Sequence, residues 1–265
     1  MKSDAARDIL NSMNSFDDIS LAYDNSIDWE SRLKRELPFL ISLIKGKQKP
    51  RVLDLACGSG RHSISLASQG ADVIGIDASK NMIRAAETNA KMRGVAPNFI
   101  IAEMESVEAT IDGPFDLIIC LGNSLALVND IETLKKVVNQ LFHLLGSGGS
   151  FVAQVLNFEE IHWTGFRTFP SKTGKLSNGE EITFSRLFEH TDYPYSSTLV
   201  MSAFRKDGES WVSEVSTQKV LNLKHDQMMR ILEETGFSSV EIFSNYERKS
   251  LDKKYDRSMV ILAVK

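Results

Sequence analysis

Apolar positions follow two different spacings along this 265-residue chain. Over 29–45 they recur every three or four residues, which predicts an amphipathic helix, and the whole segment 1–50 is predicted to be helical. From 51 to 156, short apolar runs typical of buried strands alternate with helical segments. The predicted strands are 51–55, 73–76, 99–101, 115–121 and 150–156, and the predicted helices are 61–69, 80–92 and 132–145, the last ending at a glycine-rich turn over 146–149. This alternation predicts right-handed crossovers and a parallel sheet covered by helices on both faces.

The spacing changes again after residue 161. From about 165 to 222 apolar and polar residues alternate between turns that contain Gly, Asn and Pro, which predicts an antiparallel, β-rich insertion over one end of the sheet. Its predicted strands are 181–189, 198–205 and 211–223. A helix over 225–235, ended by Gly236, precedes two strands over 239–244 and 259–264. We expect these strands to join the main sheet as an antiparallel edge pair, so the predicted fold class is α/β with a Rossmann-like sheet and a β-rich insertion.

Composition and charge narrow the kind of substrate. The chain has 31 Lys and Arg against 35 Asp and Glu, a formal net charge of −4. Nucleic-acid binding needs many Lys and Arg contacts to phosphate, so this balance favours a small-molecule substrate. Neither the two cysteines, Cys57 and Cys120, nor the five histidines have the spacing of metal ligands, so no metal site is predicted.

The N-terminal residues and the lengths of the apolar runs predict a cytoplasmic protein. The N-terminal residues M-K-S-D-A-A-R-D are not followed by the apolar region of a signal peptide. No apolar run approaches the roughly 20 residues of a membrane-spanning helix, so no membrane partner is expected. Both cysteines are expected to stay reduced in that compartment.

A glycine turn joins the first predicted strand to the first helix of the sheet, over 52–60 with the sequence V-L-D-L-A-C-G-S-G. Gly58 and Gly60 let a ligand approach the backbone closely, and the following helix N-terminus favours a carboxylate. Ser63 stands where a dinucleotide-binding G-x-G-x-x-G motif has its third glycine, which argues against NAD. Asp77 ends the next strand and suits two ribose hydroxyls. The alternative is that Asp77 only caps the helix that starts near Ser79.

Two further strand ends carry candidate ligand contacts. Glu103 and Met104 follow the third strand, where a carboxylate can accept from an adenine amino group and a thioether can contact the base. A solvated acid is the alternative for Glu103. Cys120 and Leu121 end the fourth strand, whose carboxyl end faces the crevice where open α/β sheets bind ligands.

The motifs V-L-D-L-A-C-G-S-G, V-I-G-I-D-A-S-K-N-M and I-I-C-L-G-N-S resemble those of class I S-adenosylmethionine-dependent methyltransferases. They are most similar to the glycine N-methyltransferase group and related bacterial methyltransferases, and the similarity covers about 20–160. It implies S-adenosylmethionine as the cofactor, a parallel sheet with an antiparallel C-terminal edge strand, and three regions. These are an N-terminal helical lid over 1–50, a methyltransferase domain over 51–164 and 223–265, and the insertion over 165–222 as a substrate lid. The predicted cofactor contacts are Trp29, Arg32, Ala56, Cys57, Gly58, Gly60, Asp77, Ala78, Met82, Glu103, Met104, Cys120 and Leu121.

The resemblance also assigns roles upstream of the sheet. Arg32 lies where the family has an arginine that pairs with the methionine carboxylate of the cofactor. A guanidinium suits this role because it can donate two parallel hydrogen bonds to a carboxylate. Tyr23 and Trp29 lie in the region of the family's lid, where aromatic rings attract the positively charged sulfur. The alternatives are a solvated helix arginine and ordinary packing of the lid.

The acceptor side of the site departs from the family. Asn123 matches and can hydrogen-bond an amine or hydroxyl nucleophile, or it can cap a helix. Leu156 replaces the arginine that holds the substrate carboxylate in glycine N-methyltransferases, and Leu127 replaces a family histidine. An aliphatic side chain cannot pair with a carboxylate, so the departure argues against glycine as the acceptor.

These observations predict direct, in-line methyl transfer from S-adenosylmethionine to a nitrogen or oxygen of a small molecule. Positioning alone can lower such a barrier by about 7–11 kcal/mol, so no acid–base pair is required. The alternatives are an RNA or protein methyltransferase, a dinucleotide-dependent oxidoreductase, and a non-catalytic S-adenosylmethionine-binding protein. The acceptor, the general base and the oligomeric state are left open.

Overall fold

The computed structural model describes residues 16–176 and 178–265, so the first fifteen residues of the segment predicted to be helical lie outside the described residues. The helices are α1 (Phe16–Asn25), α2 (Trp29–Ile44), α3 (Arg61–Ala67), α4 (Lys80–Arg93), α5 (Val107–Thr110), α6 (Ile131–Leu144), α7 (Phe158–Thr164) and α8 (His225–Thr235). The strands are β1 (Arg51–Leu55), β2 (Asp72–Asp77), β3 (Asn98–Ile101), β4 (Phe115–Cys120), β5 (Leu145–Leu156), β6 (Thr168–Lys175), β7 (Glu181–Asp192), β8 (Ser196–Asp207), β9 (Ser210–Leu221), β10 (Ser239–Phe243) and β11 (Ser258–Val264). Within the described ranges, no helix is both long enough and apolar enough to cross a membrane.

Seven strands form the main sheet, in the order β10-β11-β5-β4-β1-β2-β3. Strands β1 to β5 pair in parallel, as the alternation of strands and helices predicts. The predicted α/β class is therefore confirmed. β11 is the antiparallel strand, but it lies between β5 and β10 rather than at the edge, because β10 pairs with its outer side. The strand order reverses beside β1, which opens a crevice at the carboxyl ends of β1 and β4.

The sheet is buried on both faces because successive side chains of a strand point in opposite directions. In β4, Leu117 and Ile119 pack in one cluster with Leu40 of α2. Ile118, between them, packs on the other side with Leu141 of α6. All five side chains are fully buried, and each such burial contributes about 1.5–3 kcal/mol to folding.

One predicted turn is part of a strand instead. The glycine-rich segment 146–149 belongs to the first half of β5, but the register shifts there and Gly148 has a φ of +69°, so the predicted turn is a bulge within the strand. Leu145 pairs with Phe115, and the carbonyl oxygen of Gly149 accepts a hydrogen bond from the Lys265 backbone N–H at 3.0 Å. A Cβ at Gly149 would lie 2.8 Å from the carbonyl oxygen of Phe115, so the glycine permits a close backbone approach.

The insertion is a separate four-stranded antiparallel sheet, in the order β6-β7-β8-β9. We call it the small sheet. Its first strand, β6, was missing from the predicted strands, because Pro170 and Gly174 are weak strand formers. At Gly174 the strand lies directly against α1, and a Cβ there would overlap the carbonyl oxygen of Ala22. The small sheet is thereby packed against α1.

The small sheet has one inward face. Phe184 and Phe188 of β7 lie on it and are almost fully buried, and Arg186 lies between them on the same face. At the opposite side of the small sheet, β9 packs against the 3-10 segment Ser124–Leu127 that follows β4. The inward face therefore extends from α1 to the carboxyl end of β4.

Candidate active site

A cleft of about 1030 Å³ opens at the carboxyl ends of β1, β2 and β3. Its walls come from the strand ends, from the 3-10 segment after β4 and from β9 of the small sheet. Seven of the predicted cofactor contacts line it, namely Ala56, Gly58, Asp77, Ala78, Met82, Glu103 and Met104. The other lining residues are Leu55, Ile76, Ser79, Lys80, Ala102, Glu105, Ser124, Leu127, Val128, Asn129 and Gln218.

Gly58 and Gly60, the two glycines of the turn after β1, have different roles. Gly58 has a φ of +56°, and a Cβ built there meets no atom within 4 Å, so its side of the turn is open to a ligand. Gly60 has a φ of +75° and begins α3. A Cβ at Gly60 would lie 2.8 Å from Cζ of Phe99 and 2.9 Å from Cβ of Ala86. Gly60 is therefore required for packing against β3 and α4, and it is not among the residues lining the cleft.

Asp77 lies at the end of β2 and holds the turn with both carboxylate oxygens. Oδ2 accepts from the Gly58 backbone N–H at 2.8 Å, and Oδ1 accepts from the Ser79 backbone N–H at 2.9 Å. Burial raises the pKa of Asp77, while these two hydrogen bonds act to lower it. Each carboxylate oxygen has a further lone pair, so the side chain can also accept from a ligand in the cleft. Ser79, rather than Asp77, caps α4 with its side chain, through the Met82 backbone N–H at 3.3 Å.

A buried acid explains the serine that interrupts the glycine spacing. Oδ2 of Asp54 accepts from the Ser63 backbone N–H at 3.1 Å and from the Ser63 hydroxyl at 2.6 Å. Burial raises the pKa of Asp54 despite the opposing effects of His62 and these hydrogen bonds. Ser63 therefore ties α3 to β1, a role that no spacing rule in the sequence indicated.

The residues after β3 form the far wall of the cleft. Glu103 is exposed and precedes the 3-10 segment Met104–Ser106, while Met104 packs partly against the main core. Met82 faces the same cleft from α4. An acid beside two thioether side chains provides a polar group and an apolar surface for a flat heterocycle.

Three predicted contacts lie behind the cleft wall and do not line it. Cys57 and Cys120 are buried, and burial raises the pKa of both thiols far above the usual range. A Cβ at Gly75 would lie 3.0 Å from Sγ of Cys57, so that sulfur faces the sheet. Leu121 is buried in the cluster that contains β4 and α2.

The predicted arginine is oriented by a buried network. Arg32 Nε donates to Oε1 of Glu36 at 2.9 Å, and Oε2 of Glu36 is 2.6 Å from Nε2 of His62. Burial raises the pKa of Glu36, but the His62 hydrogen bond and the Arg32 charge outweigh it and lower the pKa below the usual range. The terminal nitrogens of Arg32 point toward Gly122, where a Cβ would lie 3.4 Å from Nη2. Arg32 thus faces the carboxyl end of β4.

The two predicted lid aromatics lie beside this arginine. The Trp29 ring is 4.8 Å from Cζ of Arg32, and its N–H donates to the carbonyl oxygen of Asp24 at 2.9 Å. The Asp24 carboxylate accepts from the Ser59 hydroxyl at 2.6 Å, which joins α1 to the glycine turn. Tyr23, on the same helix, contacts the small sheet and makes an edge-on contact with Phe184 at 5.4 Å.

The Asn123 side chain makes a hydrogen bond to the backbone of β5. Its φ is +70°, and its Oδ1 accepts from the Leu156 backbone N–H at 2.8 Å. It makes no side-chain cap to the helical segment that follows. Asn123 therefore joins the carboxyl ends of β4 and β5, beside the cleft residue Ser124.

Some cleft and near-cleft residues had no sequence signal. Gln218 reaches the cleft from β9, and Lys172 and Arg186 lie on the inward face of the small sheet. Alternating strands predict two faces but do not tell which face is turned toward the main sheet. Among the described residues, no group of three or more His, Cys, Asp or Glu side chains is arranged to hold a metal ion.

Comparison with known proteins identifies methyltransferases. The family model described as "Methyltransferase domain" matches residues 52–149. The chain is 28% identical over 235 residues to a glycine/sarcosine N-methyltransferase of Parasynechococcus marenigrum, covering 88% of this chain and 78% of the relative. It is 31% identical over 151 residues to the glycine N-methyltransferase of Homo sapiens, covering 52% of this chain and 51% of the relative. A solved S-adenosylmethionine-dependent methyltransferase from Clostridium acetobutylicum has the same fold, with a TM-score of 0.71, 20% identity, and coverage of 90% and 92%.

Proposed function

Because the chain belongs to the class I S-adenosylmethionine-dependent methyltransferases, we propose that it methylates a nitrogen atom of a small-molecule amine. The protein is an enzyme, and S-adenosylmethionine is its cofactor. The observation that carries the proposal is the cleft itself. It is lined by Asp77 and by Gly58, and the Gly58 backbone N–H donates a hydrogen bond to the Asp77 carboxylate. The relatives described above are N-methyltransferases, which points to nitrogen as the target atom.

The residues around the cleft suit each part of the cofactor. Asp77 would accept from the two ribose hydroxyls, while Glu103 and Met104 would contact the adenine. Gly58 leaves room for the methionine portion. Arg32, held by Glu36, would pair with the cofactor's carboxylate through its terminal nitrogens, since its Nε is already bonded.

The protein's own contribution to the reaction is position and the exclusion of water. When bound, S-adenosylmethionine supplies an electrophilic methyl group on a positively charged sulfur. The S–C bond would break as the lone pair of the acceptor nitrogen forms the new N–C bond, and the methylated amine would then release a proton to solvent. Gln218 of the small sheet contributes to one wall of the cleft, where a bound acceptor would displace water.

The cleft favours an amine over a hydroxyl acceptor. An alcohol or phenol needs a base to remove its proton, whereas an amine needs only to arrive deprotonated. No histidine is among the residues lining the cleft within the described ranges. Of its carboxylates, Asp77 already accepts two backbone hydrogen bonds, and Glu103 and Glu105 follow β3 on the wall assigned to the adenine. A nitrogen nucleophile therefore fits the groups that are present.

Two measurements test the proposal. Calorimetry with S-adenosylhomocysteine and with NAD is expected to show binding of the first and none of the second. Transfer of a labelled methyl group is then measured on glycine, sarcosine and other small primary and secondary amines, each matched with the analogue in which a hydroxyl replaces the amine. Label in the hydroxyl analogues alone, or in RNA or protein alone, would contradict the proposal. The cytoplasmic location stays a prediction.

A further inference from the structure

A basic pair lies on the inward face of the small sheet, at the end nearest α1. Lys172 of β6 is paired across the strands with Phe184, and Arg186 of β7 with Phe169. Both cations lie near the ring of Tyr23, with Nζ of Lys172 at 5.7 Å and Cζ of Arg186 at 4.9 Å from its centroid. The ring of one α1 residue thus brings together two charges from neighbouring strands.

No acid neutralises this pair in the described part of the chain. Neither Lys172 nor Arg186 has a carboxylate oxygen within 4.0 Å there, whereas Arg32, Lys47 and Arg257 all have one. Glu214 is on the same face and is aligned with Lys172 across the strands. It lies three strands away, however, which is about 14 Å from Lys172.

The pair is half-buried, so the lack of a neighbouring carboxylate in the described residues leaves two poorly solvated positive charges without a counter-charge. Burial, followed by the charges of Arg186 and Arg32, holds the pKa of Lys172 below its usual range. Arg186 also packs against Phe169, with 4.4 Å from its Cζ to the ring centroid. Two cations held against aromatic rings and partly shielded from bulk water form a site of positive potential that favours a bound anion.

The position of the pair connects it to the cleft. Gln218 of β9, which lines the cleft, lies on the same inward face, because its partner Leu199 is paired with Phe188 of β7. The Arg32 charge, which acts on both Tyr23 and Lys172, belongs to the arginine that faces the carboxyl end of β4. The basic pair therefore lies on the surface that an acceptor covered by the small sheet would touch.

We propose that Lys172 and Arg186 bind a carboxylate of the methyl acceptor and so select amines that carry an acidic group. This inference rests on the proposed function, since it names the class of acceptor for the same site. A guanidinium offers two parallel N–H donors that match a carboxylate, and the ammonium adds a second charge. Leu156, at the carboxyl end of β5, cannot supply such a contact, which is why the sequence argues against glycine. The basic pair of the small sheet supplies the counter-charge instead, so acidic amines such as glycine and sarcosine become acceptors again.

The first experiment separates acceptor binding from cofactor binding. Arg186→Met and Lys172→Met are compared with the wild type in methyl transfer to glycine and sarcosine, and to their neutral amides, glycinamide and sarcosinamide. Loss of one charged hydrogen bond is expected to raise KM for the acids about 10- to 150-fold, with little change for the amides. Arg186→Lys is expected to recover part of the loss. The matched control is Lys175→Met, on the same strand but on its exposed face.

The affinity for S-adenosylhomocysteine is measured for each variant. An unchanged affinity is expected. An equal loss of affinity for S-adenosylhomocysteine in Arg186→Met would overturn the proposal, because the pair would then bind the cofactor. An unchanged KM for the acids in both variants would also overturn it.

A binding measurement keeps the inference separate from the proposed function. NMR titration of the full chain saturated with S-adenosylhomocysteine is expected to show that sarcosine binds more tightly than sarcosinamide, and that Arg186→Met abolishes the difference. If this result appears without methyl transfer to any amine, the carboxylate site stands and the proposed function fails. If the wild type binds both compounds equally, the carboxylate site is refuted whatever the methyl-transfer assay shows.

Discussion

Asp77 is the residue whose replacement tests the cofactor site most directly. In Asp77→Asn the side chain keeps its shape but has one oxygen instead of two and no charge. In the folded protein both oxygens accept, from the backbone N–H groups of Gly58 and Ser79. The asparagine can satisfy only one of these donors, and its amide group then faces the other. A ribose hydroxyl therefore loses a charged acceptor on at least one side.

The size of the effect follows from that lost hydrogen bond. A hydrogen bond to a charged group contributes about 1.5–3 kcal/mol. At about 1.4 kcal/mol for each factor of ten, the affinity for S-adenosylhomocysteine is expected to fall about 10- to 150-fold. Asp77→Ala removes both acceptor oxygens and is expected to weaken binding further.

Folding stability is expected to respond much less. Burial raises the pKa of Asp77, which means that the folded state disfavours the ionised carboxylate relative to the unfolded chain. A carboxylate with a raised pKa makes no favourable charge contribution to folding at neutral pH, so removing its charge does not by itself destabilise the protein. The free energy of unfolding without ligand should therefore change by about 1 kcal/mol or less, the value of one neutral hydrogen bond.

Calorimetry with S-adenosylhomocysteine provides the assay, with urea unfolding of the free protein alongside. The matched control is Asp72→Asn, the same chemical change at the other end of β2, where the side chain is exposed and 3.9 Å from Lys49. The control should bind like the wild type. Equal affinities for Asp77→Asn and Asp72→Asn would refute the reasoning and remove Asp77 from the site.

Three further changes test the structure around the cleft. Gly60→Ala places a Cβ at positive φ and 2.8 Å from Phe99, so urea unfolding should show a loss of about 2–4 kcal/mol; an unchanged value would contradict the packing role. Gly174→Ala should push Ala22 away, and hydrogen exchange should accelerate over α1 but not in the main sheet; equal rates in α1 would count against it. Burial, followed by electrostatic effects of His190 and Lys224, lowers the pKa of His162 to about 4. Stability should fall as pH drops from about 6.5 toward 4, and a slope that His162→Gln leaves unchanged would disprove this cause.

The main sheet could be predicted from the sequence because its signal is local. Each buried strand is a short apolar run, each helix has its own period, and their alternation leaves few topologies. The ends of β1, β2 and β3 were therefore predicted, together with Gly58, Asp77 and Glu103, which do line the cleft. Cys57 and Cys120 belong to the same motifs, but their side chains are turned into the core, and a motif does not reveal that direction.

The small sheet could not be predicted in the same detail because its signal is ambiguous. Its strands alternate, but both faces carry apolar residues, with Phe184 buried on one side and Trp211 and Val215 exposed. Pairing across strands, which the sequence does not contain, decides which face is inward. For this reason the sequence alone does not mark Gln218 or Arg186 as a residue of the site.

The position of Leu156 explains why the acceptor's acidic group should meet the small sheet and not β5. The Leu156 backbone N–H donates to Asn123, and the Asn157 amide donates to the carbonyl oxygens of Lys253 and Asp256 at 2.9 and 2.8 Å. This end of β5 is thus engaged in joining β4, β5 and the segment before β11, and it offers no cation to the cleft. A carboxylate in a half-buried site needs a counter-charge, because desolvation of an unpaired charge costs several kcal/mol. Arg186 is a cation without such a partner among the described residues of the small sheet, so an acid held there would neutralise both groups at once.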